Sequence, residues 1–169
     1  MTDAEILSQF GGSVVSEIIK QHIAAGQKVS GNFVRKLRSE NDARRLQIVD
    51  GAGYGFALEA GRGPTKNKNG GGGESLVDRI TQWVKGRGLK GTPYERKDGT
   101  LQDQDKADEG LVWAIVNSIH NKGTLIYQEN RVTGVISDSI NEKRVGILLD
   151  VFATKYKTQA LSDLKKAFA

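Results

Sequence analysis

Residues 3–25 constrain the fold most strongly. Ile6, Leu7, Phe10, Val14, Ile18 and Ile19 recur at helical spacing. Thr2 precedes this run with Glu5 three residues on, the spacing of a capping box, and Gly26 stands where a helix stop is expected. An amphipathic helix draws most of its stability from covering its apolar face, so the rest of the chain must offer it a surface. Gly11 and Gly12 interrupt the helix and should weaken it; the pair marks a kink or a close packing contact.

The next segment supplies a candidate surface. Phe33, Val34 and Leu37 mix with basic residues at a spacing that fits either a strand or a helix, Ser39-Glu40-Asn41-Asp42 reads as a turn, and Arg45 to Asp50 alternates as a strand does. The expectation is a hairpin with strands near 33–39 and 43–50, closed by Gly51, Gly53 and Gly55. Residues 54–60 fit one or two helical turns. Ser75 with Asp78 three residues later opens a helix that carries Leu76, Ile80, Trp83 and Val84 on one face and stops at Gly86 and Gly88. Val112, Trp113, Val116 and Ile119 predict a second helix over about 109–121, with Lys122 at its negative end and Gly123 as its stop. Both tryptophans read as core residues. Residues 124–127 read as a short strand or extended segment, and 131–136 alternate weakly.

A helical region is expected over 138–168. Its apolar pattern shifts near Thr158, as two helices or one kinked helix would require. No internal repeat is visible and no boundary has the composition of a linker, so the length of 169 residues fits one domain, 1–169. Glycine is abundant, at 21 residues against two prolines, and it concentrates in loops. The stretch 61–74 (GRGPTKNKNGGGGE) and the polar connection 89–109, with a turn at Lys97-Asp98-Gly99, are expected to be mobile unless a partner orders them.

Several chemistries are excluded or disfavoured. There is no cysteine, which removes disulfides, thiolate metal sites and a cysteine nucleophile. His22 and His120 are far apart. No Gly-Lys-Ser/Thr completes a phosphate loop, Gly51-Ala52-Gly53-Tyr54-Gly55 misses the dinucleotide spacing, and no nucleophile elbow is present. Asp103, Asp105, Asp108 and Glu109 lack the glycine and closing glutamate of a calcium loop and read as a solvated loop. His120 reads as a capping or packing residue. No catalytic residue, cofactor or metal site is therefore expected. The first residues lack the basic and apolar regions of a signal peptide, and no apolar run approaches the ~18 residues of a membrane span.

Charge is uneven. The chain is basic overall, at +5. Residues 28–45 hold six basic against two acidic side chains, and residues 62–90 hold seven against two. Residues 93–110 reverse this, with six acidic against three basic. Such a division is either a solvated face beside an acidic loop or a means of steering one surface toward another, including between copies of one protein, and the basic segments also suit nucleic acid. The aromatics do not interleave with the basic residues as a single-strand platform requires.

One order of motifs is distinctive. Tyr54-Gly55-Phe56-Ala57-Leu58-Glu59-Ala60-Gly61-Arg62-Gly63-Pro64 leads through a loop to a helix ending Trp83-Val84-Lys85-Gly86. A second helix, from Leu111, ends His120-Asn121-Lys122-Gly123-Thr124. With the long N-terminal helix, Ser30-Gly31 and the basic strand before Arg44, this order over residues 5–127 resembles the tail-completion, or neck, proteins of tailed bacteriophages. Two features depart from that pattern. Ala60 stands where an aromatic residue is common, and glycines 70–73 replace a loop containing proline. The resemblance implies an α+β fold, a small antiparallel sheet packed by the long N-terminal helix and further helices. It implies a non-enzymatic virion protein, made in the bacterial cytoplasm, that forms a ring at the head–tail junction or upper tail. Other copies of itself, neighbouring connector, portal-side or tail proteins and passing DNA would be its partners, and no membrane. Tyr54, Phe56, Leu58, Glu59, Gly61, Arg62, Gly63, Pro64, Lys66 and Lys68 would carry subunit or partner contacts. A basic nucleic-acid-binding module is the alternative.

Overall fold

A computed structural model describes residues 1–27, 31–65 and 75–168. The elements are α1 (Asp3–Ala24), α2 (Asn32–Lys36), β1 (Leu37–Asn41), β2 (Leu46–Asp50), α3 (Gly55–Ala60), α4 (Leu76–Gly86), α5 (Gln104–Lys122), α6 (Leu125–Gln128) and α7 (Glu142–Ala167). The fold is α+β, with long helices and a two-stranded antiparallel sheet on which α1 packs. The chain forms two compact units. One comprises residues 1–26, 32–55 and 134–169, and the other residues 27–31 and 56–133.

In the first unit α1 starts as its capping box dictates. Thr2 Oγ1 accepts from the Glu5 N–H at 3.2 Å, and Glu5 Oε2 accepts from the Thr2 N–H at 2.7 Å. Its apolar stripe, Ile6, Leu7, Val14 and Ile18, is buried with Phe33, Leu37 and Val135. His22 is buried beside Phe33, ring centroids 4.9 Å apart. Gly11 is the close contact and not a kink. A Cβ there would sit 2.8 Å from Ser39 Cβ and 2.7 Å from Leu46 Cδ1, so the missing side chain lets the hairpin lie against the helix. Gly12 faces open space. The two glycines therefore have opposite expectations. Gly12→Ala should stabilise by about 0.5–1 kcal/mol through helix propensity, whereas Gly11→Ala should cost about 1–3 kcal/mol through overpacking. Denaturant unfolding checks both; equal effects would contradict the packing.

The hairpin exists but begins later than expected. Residues 32–36 are a short helix, and the strands pair from Leu37↔Asp50 to Asn41↔Leu46. The turn falls at 42–45 because the Asp42 carboxylate collects the N–H groups of Arg44 and Arg45, at 2.7 and 2.9 Å. An Asx turn outcompetes strand extension there. Asn141 caps α7 by accepting from the Arg144 N–H at 3.0 Å, and α7 is one continuous helix, so the shift near Thr158 is neither a break nor a second helix. It runs antiparallel to α1, tied by Arg144 to Glu17 at 3.2 Å and by Lys155 to Asp3 at 2.5 Å.

In the second unit α4 and α5 pack together. Val84, Val112 and Val116 are buried between them, with Leu76, Val77, Ile80, Leu111 and Ile115 around. Ser75 and Asp78 form the second capping box, their side chains exchanging bonds with each other's backbone N–H at 3.1 and 3.2 Å. Helix α5 begins at Gln104, capped by Asp103, and not near 109. The acidic run thus lies in the cap and first turns of a helix, where negative charge meets the positive end of the dipole, and is not a loop. Residues 124–127 belong to the short helix α6 rather than a strand. Trp83 and Trp113 lie at the edges of the apolar faces and are exposed, not core.

Candidate functional site: a clamp around Gly61–Pro64

The residues expected to make contacts fall at several places. The Tyr54 ring lies in the first unit, 6.0 Å from Phe33. Phe56 on α3 is 80% exposed. Leu58 and Glu59 hold backbone: the Leu58 carbonyl accepts from Gln27 Nε2 at 3.1 Å and from Thr133 Oγ1 at 2.9 Å, and the Glu59 carbonyl accepts from the Thr133 N–H at 2.8 Å. Lys66 and Lys68, like the glycine tract 70–73, lie outside the described residues.

Gly61, Arg62, Gly63 and Pro64 are brought into one arrangement with the turn between α5 and α6. The Arg62 N–H donates to Thr124 Oγ1 at 2.9 Å, and the Thr124 N–H donates back to the Arg62 carbonyl at 2.8 Å. One step on, the Thr65 N–H donates to the His120 carbonyl at 3.0 Å. The Arg62 guanidinium folds along the segment to Thr65 Oγ1, 2.9 Å away. An extended segment is thus laced to a helix end through backbone groups that the helix end leaves free.

Glycine is required on both sides. Gly61 has φ +76° and Gly123 φ +82°, conformations that side-chain-bearing residues rarely adopt. A Cβ on Gly61 would lie 2.5 Å from Thr124 Oγ1 and 2.6 Å from the Tyr127 nitrogen. One on Gly123 would lie 2.6 Å from the Arg62 carbonyl oxygen. At Gly63 a Cβ would meet the Tyr127 ring at 3.1 Å. Tyr127 is therefore the wall of the clamp. No local pattern pairs Tyr127 or Thr124 with Arg62, because the contact joins segments about 60 residues apart.

The 89–103 segment also has a defined seat. Asp108 Oδ1 accepts from the Gly91 N–H at 2.8 Å and from Gln104 Nε2 at 2.7 Å, and its Oδ2 pairs with Lys90 at 3.0 Å. The Gly91 N–H, then Lys90 and Gln104, hold the Asp108 carboxyl below its ordinary range. The turn at Lys97-Asp98-Gly99 forms as expected, with Asp98 Oδ1 accepting from the Thr100 N–H at 3.0 Å, between the bridged residues Glu95 and Leu101.

Among the described residues no cluster of His, Asp or Glu has the grouping of a metal site, and no helix is long and apolar enough to cross a membrane. The arrangement presents backbone-locked loops beside exposed apolar side chains such as Phe56. Comparison with known protein families, with curated proteins and with solved structures gives no match for this chain.

Proposed function

We propose that the chain is a structural protein of a tailed-phage virion, joining or completing the head–tail junction as a ring of copies through which DNA passes, without enzymatic activity. The observation that carries this reading is the clamp. The Gly61-Arg62-Gly63-Pro64 element and the Lys122-Gly123-Thr124 helix end, on which the resemblance to neck proteins rests, are 62 residues apart and hydrogen-bond to each other. Motifs that support one another physically are more informative than motifs that merely recur in order.

Exposed apolar side chains support an assembling protein. Phe56, Tyr94, Leu101 and Trp113 are all exposed and lie in or beside the elements expected to meet partners. Head-to-tail rings join two different surfaces of each copy, which an acidic segment and basic segments on one chain are suited to supply.

Quantitative mass spectrometry of purified particles tests the reading. The expected result is a copy number equal to the portal's or half of it. Absence from particles, or a copy number in the hundreds, would reject it. The alternative, a nucleic-acid-binding module, predicts DNA affinity that falls steeply with salt.

A further inference from the structure

The end of α7 projects past the helix that supports it. Asp3, the first residue of α1, meets Lys155 and the Tyr156 hydroxyl, at 2.5 and 2.6 Å. Beyond that point α7 continues through Ala167, about 18 Å further at 1.5 Å per residue, with no more of α1 to lie on. Among the described residues every side chain from Tyr156 to Phe168 is exposed.

This projecting arm is amphipathic, and its apolar stripe faces away from α1. At 3.6 residues per turn Arg144, Leu148, Phe152 and Lys155 share the side that packs on α1. Leu161, Leu164 and Phe168 share a side roughly opposite. That rotation explains the shift in apolar pattern near Thr158. Leu164 is 54% and Phe168 87% exposed. Lys157 and Lys165 flank the stripe and hold no ion pair among the described residues. A dozen residues of helix with an uncovered apolar stripe gain little from propensity alone and are stabilised when a partner covers them.

The second unit carries a face of matching chemistry. Asp105, Glu109 and Trp113 follow one another at four-residue spacing along α5 and are all exposed. Neither carboxylate holds an ion pair among the described residues, in contrast to Asp108, which is paired with Lys90. This ridge, two carboxylates followed by an aromatic ring, spans about 12 Å, against about 16 Å from Lys157 to Phe168. Lysines flanking a leucine and phenylalanine stripe meet carboxylates beside a tryptophan: the charges are opposite and both centres are apolar.

We infer that the projecting end of α7 of one copy docks on the Asp105–Glu109–Trp113 face of α5 of a second copy. The contact is heterologous, so it repeats from copy to copy as a ring requires. The inference rests on the reading that the chain assembles with itself, and it names the two surfaces.

Light scattering on the full-length protein, with two surface variants, tests it. Leu164→Asp disables the arm, and Glu109→Lys with Trp113→Ala disables the face. All three residues are exposed, so the far-UV circular dichroism and the Tm of the monomer should stay at wild-type values. Wild type should self-associate with concentration, and each variant alone should associate at least about tenfold more weakly, a loss of ~1.4 kcal/mol. An equimolar mixture of the two variants should form a dimer and nothing larger, because it retains one intact arm and one intact face. Wild type that stays monomeric at every soluble concentration would overturn the inference, as would variants that associate like wild type or a mixture that stays monomeric. The particle copy number is independent of this result. A ring-like copy number with unaffected variants would remove these surfaces and leave the neck assignment standing.

Discussion

Gly61→Ala should be among the most damaging single-methyl additions in the chain, costing about 2–5 kcal/mol. A non-glycine residue at a left-handed φ costs roughly 1–2 kcal/mol, and overpacking against groups that cannot move adds about 1–3 more. At Gly61 the obstructing atoms are the Tyr127 backbone nitrogen, 2.6 Å from the added carbon, and Thr124 Oγ1 at 2.5 Å. Relieving the contact pushes residues 61–65 off the helix end and breaks the reciprocal Arg62–Thr124 pair. Gly63→Ala is the internal comparison. It has no positive φ, and its nearest obstruction is a side-chain ring at 3.1 Å, so it should cost about 1–2 kcal/mol. Thr124→Val, which removes the acceptor of the Arg62 N–H at nearly constant volume, should cost about 1–3 kcal/mol, and Thr124→Ser should recover most of it. Urea unfolding orders the four variants. A Gly61→Ala protein within about 1 kcal/mol of wild type would mean that the clamp is not built as described.

The clamp shows what could be read from the sequence and what could not. Local signals were reliable. The two capping boxes fixed the starts of α1 and α4, and glycine after Lys122 fixed the end of α5, because caps act between residues three or four apart. The hairpin was readable as a hairpin. Its register was not, because the Asp42 carboxylate moved the turn by gathering the Arg44 and Arg45 N–H groups. The start of α5 was missed for a related reason. An acidic run looks like a solvated loop until it is recognised as a helix first turn, where the same charges are favourable. Trp113 was expected in the core from its spacing alone, yet it sits one position beyond the buried edge that Val112 and Val116 define. The pairing of Arg62 with Thr124 had no local signal at all. It is a contact between distant segments, and a single sequence carries no trace of which glycine-rich turn meets which.

Gly91→Ala should release the 89–103 segment from α5. The added carbon would lie 2.0 Å from the Ala107 carbonyl oxygen and 2.2 Å from its carbon, both backbone atoms of a hydrogen-bonded helix. The helix cannot yield, so the segment must lift, taking with it the Gly91 N–H to Asp108 bond and the Gln104 bond to the Gly91 carbonyl. The expected cost is about 3 kcal/mol or more, with the loss concentrated in the segment. Tryptic cleavage after Arg96 and Lys97 should accelerate by about tenfold or more, as local opening becomes easier by at least ~1.4 kcal/mol.

The same seat makes a pH prediction. The Asp108 carboxyl lies below its ordinary value of 3.8, principally through the Gly91 N–H, then Lys90 and Gln104. The folded protein therefore prefers the carboxylate, and its contribution is present above pH 3.8 and lost as pH falls through the lower folded value. Asp108→Asn keeps an acceptor for the Gly91 N–H but removes the charge. It should leave the segment less protected at neutral pH and flatten the acid-side fall in protection that wild type shows. In Gly91→Ala the carboxyl loses its first support and should titrate nearer 3.8. Cleavage of Gly91→Ala at the wild-type rate, together with an unmoved Asp108 titration, would show that the segment is held by something other than this carboxylate.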